Sequence, residues 1–219
     1  MAKKPAEWCL MESDPGVFTE LLKNFGVEGL QIDEPWELSY QWFEQTKYVY
    51  GIILLFKMDS NELVHGEYDK VRKDIYFSKQ IAPNSCATIA LLNIVMNIDC
   101  EEIEKGKIVN NIMDFTKEFT SHDRGATIAE ADDIKKIHNS FSSDIFLHID
   151  VDKEDYEDGD DFHFVGFIPI GGYLYELDGL KPYPINHGKI PDGEIWTNKA
   201  TDVLKKRMER LHFYYFCYS

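Results

Sequence analysis

The arrangement of apolar residues along the chain predicts a helix packed on an antiparallel sheet. Ser85 to Asn97 is mostly apolar, with bulky residues recurring at helical spacing, which predicts a buried central helix. Two predicted strands, Phe162 to Ile170 and Tyr173 to Asp178, are joined by Gly171-Gly172, a link typical of a tight hairpin. Because the strands of a hairpin are antiparallel, these elements indicate an α+β fold.

Weaker patterns predict further elements around this centre. Asp14 followed by Pro15 is typical of a helix start, and Gly26 is typical of a helix end. Ser39 is placed to cap a short helix. The length of 219 residues suits a single domain over residues 1–219. The other predicted elements are strands at 48–56 and 212–218 and helices at 111–119, 132–141 and 202–211.

The chain is strongly acidic, which argues against several kinds of partner. It has 39 acidic and 23 basic residues and a formal net charge of −16. This charge repels phosphate backbones and anionic membrane surfaces, so we expect neither nucleic acid nor a membrane as a partner. No apolar run has the length of a membrane span. The charge instead favours a basic protein or peptide tail.

The cysteines indicate reduced thiols and no metal site. The four cysteines and seven histidines are scattered and lack paired ligand spacing. A core of this size needs no disulfide, and residues 1–5 lack the apolar stretch of a signal peptide. We therefore expect no metal or other cofactor, and a cytoplasmic or nuclear location.

Cys86 is the candidate nucleophile because it lies where the central helix is predicted to begin. The preceding Pro83, Asn84 and Ser85 are typical turn residues. Free N–H groups and the dipole at a helix N-terminus favour a thiolate and can hold a developing oxyanion. Taken alone, the segment is also compatible with a cysteine that is only a small buried apolar residue.

The predicted hairpin places a histidine beside a carboxylate. With Gly171-Gly172 as the two-residue turn, the register makes His163 and Asp178 diagonal neighbours on one face. A carboxylate at one ring nitrogen fixes the tautomer and leaves the other nitrogen free to take a proton from a thiol. By itself, the pair is also compatible with a core histidine and a structural acid. Together with Cys86, the order Cys, His, Asp is typical of a cysteine hydrolase.

Five segments of the chain together carry a specific family resemblance. They are Glu7–Phe18, the nucleophile motif within Gln80–Thr88, His138–Phe141, the histidine motif Phe162–Val165 and the aspartate motif Leu174–Leu180. In this order they resemble the ubiquitin C-terminal hydrolase (UCH) family of papain-like cysteine proteases. The resemblance extends along nearly the whole chain, and its amino-terminal segment is similar to that of the proteasome-associated member.

The resemblance implies a role for each residue of the candidate active site. Cys86 would attack the carbonyl at the carboxyl end of ubiquitin. The Gln80 side chain, with the Cys86 backbone N–H, would stabilise the oxyanion. His163 would act as general base and then as proton donor, and Asp178 would orient the imidazole. The implied function is a deubiquitinating thiol hydrolase.

Ubiquitin and ubiquitin conjugates are the partners that the family implies. The ubiquitin tail carries two arginines, which acidic side chains can bind. Glu34 is a candidate for such a pair because family members carry an acidic residue there, although an ordinary surface role is equally open. Asn84, within the nucleophile motif, is the second candidate substrate-binding residue.

The family also implies details of the fold. The backbone would be knotted, with an antiparallel sheet flanked by helices, and residues 142–161 would form a crossover loop over the active site. The proteasome-associated member continues into a helical tail that docks on a ubiquitin-receptor subunit of the proteasome. This chain stops at Ser219, so we expect that regulatory tail to be absent and any such docking to need it.

Two other functions remain open from the sequence. One is a non-catalytic ubiquitin-binding module, and the other is a papain-like acyl or amine transferase that uses the same Cys, His and Asp. An electrophilic ubiquitin probe distinguishes them. A hydrolase forms a covalent adduct at Cys86, a binding module forms none, and an unrelated transferase does not recognise ubiquitin.

Overall fold

The computed structural model describes residues 7–46, 48–58, 65–141 and 162–208, and the backbone of residues 214–218. This part of the chain contains seven helices and six strands. The helices are α1 (Pro15–Asn24), α2 (Tyr40–Gln45), α3 (Cys86–Val95), α4 (Gly106–Phe115), α5 (Ser121–Glu130), α6 (Asp132–Asn139) and α7 (Trp196–Met208). The strands are β1 (Ile52–Lys57), β2 (Glu67–Tyr68), β3 (Phe162–Ile170), β4 (Tyr173–Leu177), β5 (Ile185–Lys189) and β6 (Tyr214–Tyr218).

All six strands belong to one antiparallel sheet. Their order is β2-β5-β4-β3-β1-β6, so the long strand β3 lies between β4 and β1. The predicted α+β class with an antiparallel sheet and flanking helices is confirmed. The knotted backbone stays a prediction.

Helices cover both faces of the sheet, and the sheet separates two apolar cores. The alternation of side chains along β3 sends Phe164 and Ile168 into one core and Val165 and Phe167 into the other. The first core contains residues of α1, α3, α4, α5 and α6, and the second contains residues of α2 and α7. Helix α3 is the predicted central helix, since every residue from Ala87 to Val95 is buried.

The hairpin of β3 and β4 has the predicted register. Ile170 pairs with Tyr173, and Gly166 pairs with Leu177. Gly171 and Gly172 have φ angles of 58° and 80°. Glycine adopts this left-handed region at little cost, which explains why a Gly-Gly link closes the turn.

Several predicted boundaries are wrong. Strand β1 begins at Ile52 instead of residue 48, because its pairing with β3 starts there and Gly51 lies directly against Ile94. Helices α4 and α7 begin five and six residues before their predicted starts at 111 and 202. No side chain caps the start of α4, so the capping residue that would mark this helix start in the sequence is missing. Helix α5 and strands β2 and β5 were not predicted at all.

Some expectations fall outside what the structure tests. The expected crossover loop at 142–161 lies outside the described residues, and the single-domain organisation of residues 1–219 stays a prediction. None of the helices in the described ranges is long and apolar enough to cross a membrane.

Candidate active site

The candidate nucleophile Cys86 is the first residue of α3 and carries a free, half-buried thiol. The turn before it is held by the Ser85 hydroxyl, which donates to the Ala82 carbonyl at 2.8 Å. Asn84 has a φ of 62°, in the left-handed region that asparagine tolerates better than most residues. The turn therefore delivers the sulfur to the N-terminus of a buried helix, as the sequence predicts.

The amino-terminal segment before α1 is hydrogen-bonded to the turn that precedes Cys86 and to His138 of helix α6. The Asn84 amide donates to the Trp8 carbonyl at 3.0 Å. Buried His138 donates from Nε2 to the Cys9 carbonyl and accepts from Thr88 at Nδ1, both at 2.8 Å. Burial lowers the pKa of His138, against a smaller opposite effect of the Cys9 carbonyl. Asn84 thus has a structural partner, and its contact with substrate stays a prediction.

The candidate base and its orienting acid are in direct contact. His163 Nε2 donates to Asp178 Oδ1 at 2.7 Å, and both side chains are almost fully buried, 4% and 2% exposed. The same oxygen accepts the backbone N–H of Leu180 at 2.9 Å. The predicted proximity of the two side chains is confirmed, and Nδ1 is the ring nitrogen left for a thiol.

The surroundings of His163 favour its charged form. Burial is the largest influence and opposes protonation, but the hydrogen bonds and charges of Asp178 and Cys86 outweigh it and raise the pKa of His163 to about 9. The contribution of Cys86 shows that the thiol lies within interaction range of the imidazole. The structure therefore brings Cys86, His163 and Asp178 together, although they lie on an α-helix, a strand and the end of a hairpin.

The candidate oxyanion residue Gln80 is oriented from two sides. Its side-chain N–H donates to the Ala82 carbonyl at 3.3 Å, and its backbone N–H donates to the Gly179 carbonyl at 2.8 Å. The first bond occupies one of the two amide hydrogens and leaves the second to donate to a developing oxyanion. A Cβ on Gly179 would lie 2.9 Å from the Gln80 nitrogen, so only glycine allows this close approach.

Sequence reasoning missed the roles of Gly179 and His138. Both lie in segments that carry the family resemblance, but no local pattern reveals contacts made across such distances in sequence. Glu34 is exposed in the segment between α1 and α2, and its pairing with a substrate arginine stays a prediction. Within the described ranges, no group of three or more His, Cys, Asp and Glu side chains is placed to hold a metal ion.

The combined groups are suited to attack on a carbonyl carbon. The Cys86 sulfur at a helix N-terminus lies beside the buried imidazole of His163, which is hydrogen-bonded to Asp178. The side-chain amide of Gln80 has a spare N–H, and its backbone N–H is bonded to Gly179, the residue after Asp178. Such a site can ionise a thiol, stabilise a tetrahedral oxyanion and return a proton to a leaving group. The single arrangement contains all the groups that acyl transfer through a thioester needs.

Comparison with known proteins gives consistent matches. The sequence model described as "Ubiquitin carboxyl-terminal hydrolase, family 1" matches residues 8–209. The chain is 36% identical over 203 residues to the ubiquitin carboxyl-terminal hydrolase ubh-4 of Caenorhabditis elegans, covering 93% of this chain and 62% of that protein. It is 37% identical over an alignment of 225 residues to BAP1 of Xenopus tropicalis, covering 92% of this chain and 31% of that protein.

The fold matches solved structures as well. The catalytic domain of Trichinella spiralis UCH37, bound to ubiquitin vinyl methyl ester, superposes with a TM-score of 0.84 at 31% identity. That match covers 99% of this chain and 97% of the other. A second structure of Trichinella spiralis UCH37 with the same compound gives a TM-score of 0.79 and covers 81% of that chain. The chain thus spans under two thirds of the curated relatives named above, and nearly all of a solved catalytic domain.

Proposed function

Because the chain belongs to the ubiquitin carboxyl-terminal hydrolase family, we propose that it is a deubiquitinating cysteine hydrolase. It cleaves the amide or isopeptide bond that follows the C-terminal glycine of ubiquitin. The observation that carries the proposal is the buried hydrogen bond of 2.7 Å between His163 and Asp178, with the Cys86 thiol beside the imidazole.

In the first half of the reaction, Cys86 is acylated. The thiolate attacks the carbonyl carbon of the terminal glycine, and the carbonyl oxygen takes the negative charge. The spare N–H of Gln80 and the backbone N–H of Cys86 donate to this oxygen. As the C–N bond breaks, the His163 imidazolium gives its proton to the departing amine, and ubiquitin remains bound to sulfur as a thioester.

In the second half, water releases ubiquitin. Neutral His163 removes a proton from a water molecule that attacks the thioester carbonyl. The C–S bond breaks, the imidazolium–thiolate pair is restored, and ubiquitin leaves with a free carboxyl group that loses its proton to the solvent. Asp178 keeps the ring in one tautomer throughout, because its oxygen holds the hydrogen on Nε2.

The charge of the chain supports a partner with a basic tail. A formal net charge of −16 favours attraction of the arginines at the end of ubiquitin, and the exposure of Glu34 supports its pairing with one of them. The thiols of Cys9, Cys86 and Cys100 are free, which supports a reducing compartment, cytoplasmic or nuclear, as the place of action.

Ubiquitin vinyl methyl ester provides the test. Its vinyl group accepts a thiolate by addition, so the protein forms a stable adduct, which mass spectrometry of peptides locates at Cys86. The Cys86→Ala variant forms no adduct and hydrolyses no ubiquitin amide, yet binds ubiquitin as well as the wild type does, because the change removes little contact area. The matched control is Cys100→Ala, which removes another half-buried free thiol and leaves labelling intact.

Two outcomes would contradict the proposal. Tight ubiquitin binding by the wild type without any adduct would indicate a binding module. Absence of both binding and adduct, together with thiol-dependent transfer of another acyl group, would indicate a transferase.

A further inference from the structure

The ring of Phe56 contacts both the catalytic imidazole and a buried arginine. Phe56 on β1 pairs directly with His163 on β3, and the two rings meet edge to face with centroids 5.8 Å apart. The guanidinium carbon of Arg207 on α7 lies 4.1 Å from the centre of the same Phe56 ring. Phe56 is only 2% exposed. Because a packed ring has little room to move, the position of Phe56 depends on the groups that contact it.

The guanidinium is itself fixed by a buried carboxylate. Arg207 Nη1 donates to Glu176 Oε1 at 2.8 Å, and His187 Nε2 donates to the other oxygen, Oε2, at 2.9 Å. Glu176 is 5% and Arg207 7% exposed. Glu176 precedes Asp178 by two residues, so the two carboxylates lie on the same side of the hairpin. Strand β4 and the residue that follows it thus hold the arginine, through Glu176, and the imidazole, through Asp178.

Fold stability alone gives a weak reason for this arrangement. Burying a guanidinium and a carboxylate removes both from water, and well-packed apolar residues of similar volume often stabilise a core equally well. The apolar side chains of the second core, among them Leu54, Val165 and Leu204, form one cluster with Phe56. An apolar replacement would not reproduce the contact of the charged Arg207 with the ring of Phe56, which in turn touches His163.

The hydrogen bond to Asp178 fixes one end of the imidazole, and the other end must stay directed at the Cys86 thiol. The bond from Nε2 to Asp178 leaves the ring able to turn about the line through that nitrogen, which swings Nδ1 away from the sulfur. The edge contact with Phe56 restricts this turn. A general base must lie within hydrogen-bond reach of the proton it removes, so a small rotation lowers the rate of proton transfer.

We propose that Arg207 is a positioning residue for the hydrolysis reaction: held by Glu176, it presses Phe56 against His163 and keeps the imidazole aligned with Cys86. The inference rests on the proposed function, because it assumes that His163 moves protons for Cys86. Arg207 acts through Phe56 and makes no contact with the substrate in this role.

A double-mutant cycle tests the connection. We expect Arg207→Met and Phe56→Leu each to lower kcat for a ubiquitin amide about tenfold, with KM changed less than about twofold, because alignment is lost and ubiquitin binding is not. The double variant loses no more than either single variant, since both interrupt the same contact. A loss of about a hundredfold in the double variant would mean independent effects and would overturn the proposal.

The matched control is Phe43→Leu. Phe43 is a buried phenylalanine of the same core and lies on α2. We expect Phe43→Leu to lower stability, to leave kcat unchanged in the folded protein, and to show no coupling with Arg207→Met. Equal coupling of both phenylalanines with Arg207 would indicate a general loss of packing and would count against the proposal.

Two further variants test whether misfolding, instead of lost alignment, causes the lower kcat. In Arg207→Met/Glu176→Gln the carboxylate charge is removed together with its partner, so the folded core is easier to retain. Arg207→Lys keeps the cation for Glu176 but covers less of the Phe56 ring, so we expect stability to recover while kcat stays low. Recovery of kcat in step with stability would show a purely structural role.

Alkylation of Cys86 by iodoacetamide distinguishes failure of this inference from failure of the proposed function. The reaction needs the His163–Cys86 pair but no ubiquitin. A wild type that cleaves no ubiquitin amide refutes the proposed function. In that case the same cycle, measured by alkylation rate, still decides whether Arg207 and Phe56 act as one unit on the imidazole.

Discussion

Replacing Asp178 with asparagine separates the charge of this side chain from its geometry. In the structure a single oxygen, Oδ1, accepts hydrogen bonds from His163 Nε2 and from the backbone N–H of Leu180. The Oδ1 of an asparagine can accept both of them. Asp178→Asn is therefore expected to fold and to hold the imidazole in place, but without the negative charge.

The expected change is in the pKa of His163. Burial opposes protonation, yet Asp178 and Cys86 together raise the pKa from 6.5 to about 9. This difference corresponds to about 3 kcal/mol in favour of the imidazolium, part of it supplied by Cys86. Without the carboxylate charge only Cys86 opposes the effect of burial, so the pKa of His163 falls from about 9 toward its ordinary value. The imidazolium, which the wild type keeps until the pH rises through about 9, is then lost at a lower pH.

Two measurements check this expectation. The imidazole signals of His163, followed by NMR from acidic to alkaline pH, give its pKa directly. At about pH 7.5 the protonated fraction falls from nearly all molecules toward about a tenth, its level at the ordinary pKa, so we expect alkylation of Cys86 and kcat to fall by up to about tenfold. Asp178→Ala serves as the comparison, because it loses orientation as well as charge and is expected to be slower still. A His163 that still titrates near 9 in Asp178→Asn would refute the electrostatic reasoning.

Three other predictions follow from the described contacts. Burial, the largest influence, raises the pKa of Glu176, but Arg207 and His187 outweigh it and lower this pKa to about 2. The charge of Glu176 therefore adds about 3 kcal/mol to the free energy of unfolding above about pH 4.5, and this contribution is lost as the pH falls toward 2. In urea unfolding, Glu176→Gln should therefore lose less stability than the wild type between about pH 5 and 3. An equal loss in both proteins would show that the charge of Glu176 does not stabilise the fold. Gly179→Ala is expected to lower kcat at least about tenfold with little change in KM, because the new methyl group pushes Gln80 aside. An unchanged kcat would show that Gln80 donates nothing to the oxyanion. Ubiquitin affinity should decrease as salt increases, and a titration with no salt dependence would count against an electrostatic contribution from the acidic surface.

The central parts of the site could be predicted from local sequence. The Gly171-Gly172 turn fixes the register of the hairpin, and the register alone places His163 beside Asp178. The apolar run that follows Cys86 likewise identifies a buried helix with the sulfur at its start. Both predictions use residues that are close in sequence, where periodicity and turn chemistry are informative.

The remaining parts depend on packing that local patterns do not encode. Helix α5 was missed because only Gly125 and Ile128 of its residues are buried, so it carries no apolar stripe for a search to find. The pair of Glu176 and Arg207 joins residues 31 positions apart, across the contact of α7 with β4. A single glutamate in a strand and a single arginine in a charged helix give no sign of each other until the two elements pack.

The bonds that fasten the amino-terminal segment have a consequence for biosynthesis. Trp8 and Cys9 bind Asn84 and His138, which lie 76 and 129 positions away along the chain. Contacts between such distant residues form late, because closing long loops costs entropy before any contact compensates. During biosynthesis the amino-terminal segment, although it is made first, is therefore expected to bind Asn84 and His138 only after the later residues have folded.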